Sequence, residues 1–145
     1  MSKSIFNSVT ETAMRLVLLI NSFDRPLTFE EFFAYDFIGT YGKEYGLTDS
    51  SLNGDSEFTM SKVALRRKRV EEAVSYLVRN GYTTPSGTDL DPWYSLTEKG
   101  IAFNKKISST IYAEDYKLTI QIGKEQLFSS KSKPLELVLS RIEEE

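Results

Sequence analysis

Apolar positions recur along residues 9–22 at helical spacing: Val9, Ala13, Leu16, Val17 and Ile20 fall at offsets of 4, 7, 8 and 11. Met14, Leu18 and Leu19 widen that stripe until Arg15 is the one charged residue within it, so this helix is predicted to lie at the centre of a core. Ser8-x-x-Glu11 forms a capping box at its start, the hydroxyl taking the amide three residues on. Asp24-Arg25-Pro26 breaks the helix, and a second box, Thr28-x-x-Glu31, opens another over residues 29–41. Phe29, Phe32, Phe33, Phe37 and Ile38 are its apolar residues, and Leu27 and Phe32 stand where a hydrophobic staple fixes the entry of the chain.

Residues 42–58 hold three glycines among Ser, Asp and Asn and read as a long loop. A third helix over 61–80 follows, with Val63, Val70, Ala73, Val74 and Leu77 on one side and Gly81 as its terminator. Two β-prone runs, 82–84 and 93–96, flank the turn residues Pro85-Ser86-Gly87 and Asp91-Pro92 and predict a hairpin. Thr97 caps a fourth helix carrying Ile101, Phe103, Ile107 and Ile111. Residues 113–123 are ambiguous, because 117–122 alternate like a strand while Tyr112, Tyr116 and Ile120 keep a helical spacing; helix is the favoured reading. A polar linker at 129–133 leads to Pro134, which starts a short amphipathic helix with Leu135, Val138, Leu139 and Ile142; the three terminal glutamates are expected to be solvated.

Composition removes whole classes of chemistry. At 145 residues, with 40% hydrophobic and 27% charged residues, the chain has the make-up of a globular domain with a real core. Histidine and cysteine are both absent, which excludes serine triads, thiol nucleophiles, disulfides and most zinc sites. No catalytic residue, metal ligand or cofactor site is assigned. No signal-like segment opens the sequence, and the longest apolar stretch, Leu16 to Ile20, is far too short to span a bilayer. A cytoplasmic protein without membrane contact or small-molecule substrate is expected.

Charge is uneven. The net charge is −3, yet residues 61–80 carry six basic groups against two acidic ones. Within that helix Lys62, Arg66, Arg67, Lys68, Arg69 and Arg79 are candidates for binding nucleic acid or a partner. With Val70 taken as the core direction, Lys68, Arg69 and Arg79 point outward, whereas Arg66 and Arg67 flank the apolar stripe and are suited to pairing with carboxylates such as Asp36 or with a partner subunit. A solvated face is the third reading of the same run. Asp89 and Asp91 make the hairpin acidic, and with the negative net charge they oppose autonomous DNA binding. Leu135, Val138, Leu139 and Ile142 dock either on this domain or on a partner.

Arg15 needs a carboxylate, and Glu11, one turn earlier, is the local candidate. Trp93 reads as a core or wing anchor before a base-stacking platform. Asp49-x-Ser51-x-Asn53-Gly54-Asp55 imitates a calcium loop, but Met60 occupies the position of its bidentate glutamate, so turn chemistry is the better reading. Asp49, Asp55 and Glu57 form the one dense acidic cluster, the place where carboxylate-metal catalysis would have to reside.

The order helix, helix, loop, helix, hairpin, helix predicts a mainly α, winged helix-turn-helix domain over 1–112 with a C-terminal helical extension over 113–145. LVRNGYTT and WYSLTEKG resemble the wing region of many such domains, through Tyr94, Leu96, Thr97 and Gly100. IFNSVTETAMRLVLLINSF, TFEEFFAYDFIGTYG and RRKRVEEAVSYLVRNGY resemble the middle component of bacterial ABC three-component systems, which include Lamassu-type antiphage defence. The matching positions are Asn7, Glu11, Arg15, Tyr35-Asp36, Arg69, Glu71 and Gly81; where that family often has Ser-Leu-His-Pro, this chain has Ser51-Leu52-Asn53-Gly54. The resemblance implies a non-catalytic accessory subunit that accompanies an SMC/Rad50-like ATPase and an effector subunit, often a nuclease, in DNA sensing, with DNA reached through the complex. The alternative is a homodimeric winged-helix transcription regulator.

Overall fold

A computed structural model describes residues 8–49, 52, 60–128 and 133–142. Asn7, most of the calcium-like motif with Asp55 and Glu57, linker residues 129–132 and the terminal glutamates lie outside the described residues. The elements are α1 (Val9–Phe23), β1 (Leu27–Thr28), α2 (Phe29–Thr40), α3 (Met60–Arg79), β2 (Thr83–Ser86), β3 (Trp93–Leu96), α4 (Glu98–Ile107), α5 (Ile111–Gln126) and α6 (Pro134–Leu139). The fold is mainly helical with one small antiparallel sheet, order β1-β3-β2, and is compatible with a winged-helix-like α fold.

Helix starts follow their caps. The Ser8 hydroxyl accepts the Glu11 amide at 3.0 Å, and in the Thr28 box the Glu31 carboxylate returns to the Thr28 amide, also at 3.0 Å. Leu27 and Phe32 are both buried, as a staple requires. The pair Leu27–Thr28 also joins the sheet, opposite Tyr94 and Trp93. That strand was not predicted, because two residues are too few to show an alternating pattern.

Residues 32–40 of α2 are buried without interruption. A helix apolar on every side has to be enclosed by its neighbours; α1, α3, α5 and α6 all pack on it. Residues 113–123 are helical within α5, whose Tyr116 and Ile120 are fully buried against α1 and α2. Phe23, Tyr35 and Phe128 stack with centroids 4.3–6.1 Å apart, joining the ends of α1 and α5 to α2.

The junction between the hairpin and α4 explains the Leu-Thr-x-x-Gly run. Thr97 caps α4 by accepting the Gly100 amide at 3.1 Å, while its hydroxyl donates to the Gly81 carbonyl at 2.6 Å. Gly81 ends α3 in the left-handed region, at φ 78°. A Cβ on Gly100 would lie 2.2 Å from the Tyr82 carbonyl oxygen, so only glycine lets α4 approach the strand this closely.

Candidate partner-binding surface

The basic run of α3 divides between interior and surface. Arg66 is buried (6% exposed) and lies 3.6 Å from Asp36, with its guanidinium donating to the Thr40 hydroxyl at 2.8 Å. It also sits over the rings of Phe37 and Tyr41. Arg67 pairs with Glu30 and covers the faces of Phe29 and Phe33 at 4.9 and 5.2 Å. Arg69 meets Glu72 at 3.5 Å, and Arg79 donates to the Ser75 hydroxyl at 2.7 Å. Lys68 is exposed and Lys62 half-buried, and neither forms an ion pair among the described residues.

The inward half of that run belongs to a buried polar hub. Arg15 of α1, fully buried, grips Asp36 of α2 with two hydrogen bonds of 2.8 and 3.1 Å. Tyr116 of α5 donates to the same carboxylate at 2.7 Å, and Tyr112 and Thr12 accept from Arg15. This corrects the expected Glu11–Arg15 pair. Glu11 stands at the surface end of α1, whereas Arg15 reaches inward to a carboxylate that needs a cation to be buried at all. The signal was present in the sequence, since an aspartate set among Phe33, Tyr35 and Phe37 demands such a partner.

Burial alone would raise the Asp36 pKa, but the Arg15 charge and hydrogen bonds, with Arg66 and Tyr116, hold it below the usual carboxylate range. Burial pushes Tyr116 well up, and the Asp36 charge adds to that. Arg66 is lowered by burial and by the nearby Arg15 charge, with Asp36 opposing. Arg15, Asp36 and Tyr116 are fully buried, and the hub ties α1, α2, α3 and α5 together. It is an internal clamp.

On the outer side, α3, the start of α2 and the hairpin border an open groove of about 510 Å³ lined by Phe29, Glu71, Val74, Ser75, Val78, Pro85, Asp89, Pro92 and Tyr94. Both of its charged residues are carboxylates. Periodicity missed it because its two walls come from segments that are each unremarkable alone. The hairpin tip carries Leu90, 98% exposed between Asp89 and Asp91. Trp93 is 45% exposed and rests against Gly87, where a Cβ would lie 3.1 Å from the indole.

The C-terminal helix α6 packs on α2, with Val138 fully buried and its carbonyl accepting a hydrogen bond from the Tyr45 hydroxyl. Ile142 is half-buried against the same core. Leu135 and Leu139 remain 37% and 40% exposed. The short helix therefore docks on its own domain by one residue face and leaves the other outward.

No helix among the described residues is long and apolar enough to cross a membrane. No curated protein and no solved structure matches the chain significantly. A family model does match, over residues 5–144, nearly the whole chain. The chain belongs to the family described as ABC-three component (ABC-3C) system Middle Component 2, which acts with the other components of such a system.

Proposed function

We propose that the chain is a non-catalytic accessory subunit linking an SMC-like ABC ATPase to an effector, a nuclease, in a cytoplasmic DNA-sensing defence complex. Family membership over residues 5–144 is the observation that carries this reading. Three features support it. Neither histidine nor cysteine is present to do imidazole or thiol chemistry. Arg66 and Arg67, half of the four-residue basic run, are engaged with Asp36 and Glu30 rather than offered to phosphate. The hairpin beside α3 is acidic at Asp89 and Asp91, which repels a phosphate backbone.

In this reading the helical bundle and hairpin form the docking body, and the outward residues Leu135 and Leu139 of α6 supply a second apolar contact. Co-expression of the full chain with the two other components of its system tests it. Co-purification with both is expected, and failure to associate with either defeats the proposal. The transcription-regulator alternative requires the chain alone to bind a specific duplex with nanomolar Kd at physiological salt. A gel shift reads that directly, and no shift is expected.

A further inference from the structure

We infer that the groove between α3 and the hairpin receives a basic, apolar-anchored segment, of the amphipathic-helix kind, from one of the other components of the system. The inference rests on the accessory-subunit reading and adds the place and chemistry of contact. The lining is mostly apolar: Val78, Pro92 and Tyr94 are open to an inserted aliphatic or aromatic side chain, Val74 lies buried beneath them, and Phe29 carries Arg67 on one face. Glu71 and Asp89 are the charged residues of the lining. Of the two guanidiniums that border it, Arg67 is already paired with Glu30 and Arg79 is bonded to the Ser75 hydroxyl, so the carboxylates favour an occupant that carries lysine or arginine beside its anchor.

The neighbouring hairpin continues the same character. Leu90 projects at the tip with Asp89 and Asp91 on either side, again an apolar point within a negative field. Strand addition is disfavoured at this edge. β2 is the outer strand of the sheet, and Pro85 within it lacks the amide that an incoming strand would use. An occupant whose backbone is already hydrogen-bonded, as in a helix, needs nothing from that edge. Nucleic acid would bring phosphate against Glu71 and Asp89, the opposite of what the groove favours.

The test uses the full chain with the two other components, each purified, and the exposed double reversal Glu71→Lys with Asp89→Lys. The double variant is expected to keep its thermal midpoint while its Kd for one component rises roughly tenfold, with the difference shrinking at high salt. A benzophenone side chain placed at Ser75 is expected to cross-link to a peptide of that component bearing Lys or Arg beside apolar residues. Wild-type affinity in the double variant overturns the groove assignment while leaving the accessory role intact. Cross-linking to duplex DNA or to a second copy of the chain overturns the assigned occupant. If the wild-type chain binds neither component, the accessory reading fails and the groove assignment fails with it.

Discussion

The buried hub and the outer groove use charge in opposite ways. Around Asp36, two guanidiniums and a tyrosine hydroxyl converge on one carboxylate with no solvent access. Around the groove, Glu71 and Asp89 face outward over an apolar floor, and Asp91 stands at the hairpin tip. Interior charges are held by their own chain and set the geometry of the bundle. The groove carboxylates stand at the surface beside apolar side chains, where the proposed partner would meet them. One helix, α3, serves both regions, with Arg66 on its inner side and Glu71 on its outer side, five residues apart.

The contrast breaks most sharply at Asp36. Replacing Asp36→Asn leaves two arginines buried without their carboxylate and is expected to cost about 3–5 kcal/mol, the range for removing one partner of a buried ion pair. Urea denaturation measures it, and a loss within experimental error would mean that the hub is not the clamp described.

Acid should act on the same group. Because the folded-state pKa of Asp36 is lowered, its stabilisation is present above the unfolded carboxylate value of about 4 and is lost as pH falls through the folded value. Stability of the wild type should therefore decline with acid from about pH 4 downward, and Asp36→Asn should flatten that decline. Denaturation midpoints at several acidic pH values compare the two slopes.

Arg66→Met is a milder perturbation. It keeps the Arg15–Asp36 pair and removes the second guanidinium, whose burial already disfavours its charge. A change below about 1.5 kcal/mol is expected, since an apolar chain of similar length can replace a buried cation at little cost. A loss as large as that of Asp36→Asn would make the two arginines equal partners and require the hub to be redrawn.

The smallest stability effect belongs to the groove. Glu71→Lys with Asp89→Lys should lie within about 1 kcal/mol of wild type, because both residues are exposed and the loss is confined to the attraction between Glu71 and Arg67, four residues apart on α3. Thermal melts check this, and marked destabilisation would assign these carboxylates to the fold instead of to a partner.

Much of the fold was legible in local signals. Ser8, Thr28 and Thr97 each cap the helix that their spacing implied, Gly81 ends α3, and Gly87 lies in the turn of the hairpin with φ 90°. The apolar side of α3 was readable from Val63, Val70 and Leu77, all buried. Contacts between distant segments were less legible. A sequence stripe shows which residues turn inward but not what meets them, so it offers Arg15 the local Glu11, four residues away, and not Asp36, twenty-one away. The groove depends on how α3 and the hairpin close on each other, a tertiary arrangement that no periodicity carries.

The central claim is that this chain works by binding protein. Mixing the purified chain with its two companion components and excess duplex DNA, then measuring particle mass at physiological salt, tests it most directly. The account predicts one particle holding the chain with its companions, formed with or without DNA. A chain that stays apart from both companions while binding the duplex on its own would contradict it.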